Sequence, residues 1–335
     1  MSFRASGHSP GAPDIAGGRR GRELMLLRSA GVVALAIGSA ATAPAQLARR
    51  EFTELHMGMA VRIVLHAADD STARDAARAG FARIAALEDV MSDYRPSSEL
   101  RRLVASPAGR PVSVSADLCV VLAGALEMAR ESDGAFDPTV APLVALWRKA
   151  KASGMDPSPD SITAARRRVG WRRVRLDRES CEATLEPGTE LDLGGVAKGY
   201  IIDQAMTVLR NRGIASALIE AGGDIVVGEA PPGETGWQIG VPHTESRLVA
   251  RASSLIRAAI STSGDREQFV EIGGRRYSHI IDPRTGLGST TEALATVIAP
   301  NAMTADALAT ALAVLGDERA AALLARHPGA IAVVR

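Results

Sequence analysis

Three short segments hold most of the side chains able to do chemistry. Arg275-Arg-Tyr-Ser-His-Ile-Ile-Asp-Pro-Arg-Thr-Gly286 gathers His279, Asp282, Tyr277, Ser278 and three arginines before a Pro-x-x-Gly turn. Polar density of that kind beside Ile280-Ile281 suits a strand that leads into a functional loop. Leu191-Asp-Leu-Gly-Gly-Val-Ala-Lys-Gly-Tyr200 runs from an expected strand through a glycine pair into an expected helix. Free amides at a helix start favour an anion, and glycine lets a ligand approach closely. Lys198 adds a positive charge one turn in. An ordinary tight strand–helix turn accounts for the same residues, and the spacing is neither that of a P-loop nor G-x-G-x-x-G. Asn301-Ala-Met-Thr-Ala-Asp-Ala-Leu-Ala-Thr310 puts Asp306 and Thr310 on one face of a helix that is Ala, Leu and Val nearly all round. A carboxylate buried there needs a partner. Mg²⁺, which takes one or two carboxylates together with phosphate oxygens, would be one. An Asp held at a helix start by the dipole is the other reading.

Smaller segments add candidates. Met91-Ser-Asp-Tyr-Arg-Pro-Ser-Ser-Glu-Leu100 places Tyr94 beside a turn, where its ring can stack on a flat ligand. Ser97 or Ser98 equally suits the cap of a short helix. Asp133-Gly-Ala-Phe-Asp-Pro-Thr139 reads as a helix C-cap followed by a proline turn. His56-Met-Gly-Met59 offers Met57, either to a ligand or to the core. Glu220-Ala-Gly-Gly-Asp224 and Ser261-Thr-Ser-Gly-Asp265 are loop signals.

The elements that must position these residues are readable from periodicity. Alternation predicts a strand over Glu51–Ala67, with Val61, Ile63 and Leu65 on one side. Helical spacing predicts helices over Asp70–Met91, capped by Asp70 or Ser71, over Ser115–Ser132, with Ser115 as cap, and over Thr139–Lys151. Short strands follow over Val174–Leu176, Ala183–Leu185 and Glu190–Leu193. A helix over Val196–Arg212 closes on Gly213. Further strands are expected over Ala217–Val227, Trp237–Val241, Leu255–Ser261 and Ala293–Ala299, with a hairpin over Phe269–Ser278 turning at Gly273-Gly274. A last helix spans Met303–Leu315. Runs of strands with grouped helices predict an α+β fold in a single domain.

The chain has 335 residues and a formal net charge of +1, which gives no basic stripe for nucleic acid. Hydrophobic residues make up 46% and aromatics only 3%, so aliphatic side chains must build the core. Residues 1–45 read as a secretory signal peptide rather than as fold. Arg19, Arg20, Arg22 and Arg28 lead a small apolar run from Ala30 to Thr42, and Ala43-Pro-Ala45 offers a cleavage site. The run is shorter than the roughly 20 residues of a spanning helix. Residues 46–335 would then be the mature domain in the periplasm, by a Sec or twin-arginine route. Cys119 and Cys181 are the only cysteines; oxidation after export can pair them, and two buried free thiols are the plainer expectation.

Taken in order, these segments resemble the ApbE family of FAD:protein FMN transferases, from about Phe52 to about Leu315. The most specific matches are Asp192–Gly199, Tyr277–Gly286 and the A-D-A-L-x-T motif at Ala305–Thr310. The resemblance implies an α+β domain with a T-fold-like core, with FAD as substrate and Mg²⁺ as cofactor. It implies a metal held by Asp306, Thr310 and the Gly195 carbonyl. Cofactor contacts would come from Met57, Tyr94, Ala135, Phe136, Asp137, Asp192, Lys198 and Ile281. The sequence departs from the family where Met59 stands in place of a common Thr, and where Leu103-Val104 follows Glu99-Leu100 in place of a common Asn. The implied reaction moves FMN to a Ser or Thr hydroxyl of an acceptor flavoprotein subunit in a membrane redox complex, with AMP leaving. The membrane would be met only through that acceptor. His279 is the best general base by its ordinary pKa, and Asp282 or Asp306 can share the task. An Mg-dependent FAD pyrophosphatase and a non-catalytic periplasmic flavin-binding protein are the alternatives.

Overall fold

The computed structural model describes residues 47–240, 254–264, 269–272, 274–278, 280–288 and 294–334. The leader 1–45 and His279 therefore lie outside the described residues. Ala45–Arg335 forms one unit, an α+β domain.

The chain opens with a hairpin, β1 (Ala48–His56) and β2 (Met59–Ala67), where one strand is predicted over Glu51–Ala67. Met57 (φ 53°) and Gly58 (φ 74°) both take left-handed backbone, which makes the two-residue turn that matches strand twist. The alternation runs on across the turn, so periodicity alone hides it. Helix α1 (Asp70–Met91) follows. Its cap is Asp69, one residue earlier than predicted; the Asp69 carboxylate accepts from the Thr72 amide. Helix α2 (Glu99–Val104) is capped by Ser98, and β3 (Val112–Ser113) leads to α3 (Ala116–Glu131), capped by Ser115. Helix α4 (Ala141–Ser153) has proline in its first turn and α5 (Pro159–Arg166) begins on one. Strands β4 (Val174–Asp177) and β5 (Glu182–Leu185) join β3 in a small sheet of order β3-β5-β4.

Cys119 and Cys181 are paired, with Cα atoms 5.5 Å apart, against the expectation of free thiols. The first turn of α3 passes beside the turn that enters β5, because the Val114 amide donates to the Cys181 carbonyl. That contact sets the two Cα atoms within bonding range.

Glu190–Leu193 is not a strand. Its backbone is spent on a neighbouring loop, the Asp192 amide donating to the Pro138 carbonyl at 2.8 Å. Then come α6 (Ala197–Asn211), the hairpin β6 (Ala217–Ala221) and β7 (Asp224–Val227), and β8 (Ala258–Gly264). Trp237 makes only an isolated bridge to Leu255 where a strand is predicted over Trp237–Val241, and the strand predicted over Leu255–Ser261 starts later, as β8 at Ala258. The hairpin β9 (Phe269–Ile272) and β10 (Arg275–Ser278) forms as predicted. The remaining elements are β11 (Ile281–Asp282), β12 (Leu287–Gly288), β13 (Leu294–Ala299), α7 (Ala302–Leu315), α8 (Asp317–Leu324) and β14 (Ile331–Val334).

The main sheet has the order β1-β2-β6-β7-β8-β13-β14, and each neighbouring pair runs antiparallel. Helices α1, α6 and α7 pack on one face. Val61, Ile63 and Leu65 of β2 point to that face and are fully buried, while Val64 joins Leu218, Trp237 and Ile260 in a separate cluster. A third cluster joins α4 and α5 to the late hairpins through Leu143, Trp147, Ile272, Tyr277 and Ile281.

Candidate active site

The loop before α6, the first turn of α6 and the first three turns of α7 form the centre. Asp192 folds its carboxylate back to accept from the Gly194 amide at 2.8 Å. The chain then enters α6, where Lys198 reaches to both the sheet and α7. Its Nζ pairs with Asp224 at the start of β7 and lies 3.6 Å from Asp306 Oδ1. Asp224 is fully buried and also accepts from the Ser261 hydroxyl of β8. Asp306 is fully buried, and its Oδ2 accepts from the Gly199 amide at 3.2 Å. Thr310, one turn further along α7, lies 3.3 Å from the Ser263 hydroxyl. Gly195 abuts that turn: a Cβ there would stand 2.9 Å from Thr310 Oγ1 and 3.1 Å from the Phe136 ring. Glycine is what lets the loop backbone reach the polar edge of α7.

Two carboxylates thus share one ammonium. Burial pushes Asp306 up to about 7, opposed by Lys198 and reinforced by Asp224. Burial works against the charge on Lys198, but Asp306 and Asp224 outweigh it and hold the ammonium above its ordinary value. The surplus negative charge suits a cation. The oxygens at hand are the Asp306 carboxylate and the Thr310 hydroxyl, with the Gly195 backbone abutting Thr310; both are hard donors that fit Mg²⁺ better than a soft metal. Among the described residues no cluster of three or more His, Cys, Asp or Glu is gathered. A cation here would complete its shell from substrate phosphate oxygens or water.

A second group lines the approach. Tyr94 follows α1 and is 73% exposed, so a planar ring can stack on it. Arg148 of α4 lies 4.6 Å from the Tyr94 ring centroid and 3.3 Å from Asp93. Burial raises the half-buried Asp192 carboxyl; Asp93 adds to that rise and Arg148 opposes it, so these residues sit within electrostatic reach of one another. Ala135 and Phe136 are buried, and Phe136 adjoins Gly195. The Asp137 carboxylate is committed internally, accepting from the amides of Thr139 and Trp171, each at 2.8 Å, and from the Thr139 hydroxyl. Met57 is half-buried in the β1–β2 turn and packs on the main core. Ile281 is buried in the third cluster with Trp147 and Tyr277. Asp282 holds Arg284 at 2.9 Å, and Trp147 Nε1 donates to the Gly286 carbonyl beyond it.

Gly195, Lys198, Asp306, Thr310 and Phe136 therefore converge, while Asp192 lies with Tyr94 and Arg148 on the approach. Ile281 belongs to another cluster, and the Asp137 side chain serves its own loop. Sequence reasoning missed Asp224 as the partner of Lys198, and Ser261 as the hydroxyl that donates to Asp224. A Gly-Gly-Asp turn between strands marks Asp224, whereas the segment from Ser261 reads as a loop signal, and Ser261 in fact lies in strand β8.

The chain matches the family model described as "ApbE family" over residues 57–334. A protein of Treponema pallidum named FAD:protein FMN transferase is 35% identical over 259 residues, covering 72% of each chain. One of the same name from Haemophilus influenzae is 35% identical over 250 residues, covering 70% of this chain and 72% of its own. Among solved structures, the apo form of Pseudomonas stutzeri flavinyl transferase ApbE superposes with a TM-score of 0.73 at 31% identity, covering 87% of this chain and 92% of that one. The ApbE protein of Thermotoga maritima superposes with a TM-score of 0.74 at 29% identity, covering 86% and 94%.

Proposed function

The chain belongs to the ApbE family, and from that premise we propose that it is an Mg-dependent FAD:protein FMN transferase acting outside the cytoplasm. The observation that carries the proposal is the convergence of Lys198, Asp306, Thr310 and Gly195 where α6 meets α7. In the proposed reaction, a Ser or Thr oxygen of the acceptor bonds to the phosphorus on the FMN side of FAD. The bond from that phosphorus to the bridging oxygen breaks, AMP leaves with that oxygen, and the hydroxyl proton passes to a base. Positioning and charge stabilisation carry most of such a step.

Lys198 is the fixed positive charge for the pyrophosphate, with Asp224, itself held by the Ser261 hydroxyl, keeping its ammonium in place. Asp306, Thr310 and the Gly195 carbonyl would hold Mg²⁺, which when bound neutralises charge on the phosphate oxygens. Tyr94 and Phe136 supply apolar surface for the flavin, and Asp192 accepts hydrogen bonds at its edge. His279 is the proposed base, with Asp282 next in line. Export is supported by the leader and by the Cys119–Cys181 pair, since disulfides persist in oxidising compartments. The acceptor is accordingly an extracytoplasmic domain of a membrane redox protein.

The test is a product balance. The mature protein is incubated with FAD and Mg²⁺, with and without an acceptor domain, and free AMP, free FMN and protein-bound flavin are measured. AMP matched by bound flavin is the expected result. AMP matched by free FMN would make the protein a pyrophosphatase, and no AMP at all would leave a binding protein. N-terminal sequencing of the native protein should find a start near Gln46; a retained Met1 would refute export by this leader.

A further inference from the structure

We propose that Asp203 is a positioning residue, clamping the start of α7 to α6 so that Asp306 and Thr310 stay in register with Lys198 and Gly195. Asp203 stands on α6, one turn beyond Gly199. Its Oδ1 accepts from the Ala302 amide and its Oδ2 from the Met303 amide, each at 2.9 Å. These are the first two amides of α7, which find no partner inside their own helix. The reverse bond lies nearby: the Gly199 amide of α6 donates to Asp306 on α7. Each helix thus gives backbone amides to a carboxylate of the other.

Between the two sets of bonds the backbones touch. A Cβ on Gly199 would fall 2.2 Å from the Ala302 carbonyl oxygen. Contact that close leaves little freedom for α7 to slide or turn, because any shift lengthens bonds at both ends of the clamp. Capping for stability alone does not need this arrangement, since Asn301 already accepts from the Thr304 amide in the same turn. What the carboxylate on the other helix adds is relative placement. Isolated Asp203 does not touch the centre; it acts through the pose of α7.

The inference rests on the proposed role of Asp306 and Thr310 in holding a divalent cation, so its first readout is metal binding without turnover. Mn²⁺ is the probe, followed by the electron paramagnetic resonance signal of the free ion in the presence of FAD. In Asp203→Asn one oxygen becomes an NH₂ that faces an amide N–H. It should raise the apparent Kd for Mn²⁺ about tenfold, and shift the Mg²⁺ needed for half-maximal AMP release by a like factor. FAD binding without metal should stay within about twofold. Asn301→Ala is the control: it removes a cap from the same helix turn, and should lower Tm comparably while leaving Mn²⁺ binding within about twofold. Equal metal affinities in the two variants would overturn the proposal, because Asp203 would then be a cap only. If Asp203→Asn does not fold, Ala302→Pro removes one donor at a position where helices accept proline; an unchanged Mn²⁺ affinity there would overturn it as well. Failure of the wild type to release AMP, with Mn²⁺ still bound, would count against the transferase reading and leave the clamp standing.

Discussion

The α6–α7 crossing and the approach formed by Tyr94, Arg148 and Asp192 use opposite means to present polar groups. At the crossing, Lys198, Asp224 and Asp306 are carried by buried secondary structure, and their neighbours bond them on several sides. On the approach, Tyr94 is 73% exposed and its ring is faced by the Arg148 guanidinium of α4. A centre for charge stabilisation gains from rigidity, since groups already aimed need no reorganisation at the moment of reaction. A surface that admits and releases a large cofactor gains from side chains that can move. Substitutions should therefore act on rate at the crossing and on affinity at the approach.

The largest expected effect is that of Asp306→Ala, which should reduce AMP release at least about 10²-fold. Lys198 keeps Asp224, so the melting curve should move little; a collapsed fold with no selective loss of activity would break the contrast. Next, His279→Ala should slow FMN transfer about 10²- to 10⁴-fold with near-normal FAD binding by flavin fluorescence. Weakened binding with normal transfer would move the base role to Asp282. Reducing the Cys119–Cys181 bond opens a loop with a sequence separation of 62, which chain entropy values at about 4 kcal/mol. Denaturant melts with and without reductant should show that loss, while turnover in dilute buffer persists.

Asp203 supplies a pH effect of known sign. Burial lifts its carboxyl to about 6, although two amides oppose the rise. A group raised in the folded state stabilises most below its unfolded value and loses that contribution as pH climbs through its folded value. Between about pH 4 and pH 6 wild-type stability should thus fall relative to Asp203→Asn, by on the order of 3 kcal/mol at most. Parallel curves for the two proteins would refute it. The smallest effect should be at the approach: Tyr94→Ala should weaken FAD binding about tenfold at unchanged kcat.

The placement of the candidate site residues was legible where a segment carries its own geometry. The four-residue spacing of Asp306 and Thr310 needs only a helix to put them on one face, and the glycine pair before Lys198 needs only a tight entry into a helix, although the strand predicted ahead of it is a loop. Tertiary partners were not legible in the same way. Ser261 meets Asp224 because β8 pairs with β7, and Asp203 meets Ala302 across 99 residues because α6 crosses α7. The hairpin hidden in Glu51–Ala67 failed for a different reason: period-two alternation is the same on both sides of a two-residue turn, and Met57 is not a residue that announces left-handed backbone. The cysteines were misread because their pairing depends on where β5 lies against α3, which spacing does not encode.

That sulfur bridge also fixes what a protease would see. The described surface includes a glycine-containing loop at 154–157, exposed at Gly154, Met155 and Asp156, inside the stretch that Cys119 and Cys181 close. A cut there severs the chain without releasing either piece. The nicked protein should run as one band on a gel without reductant and as two with it.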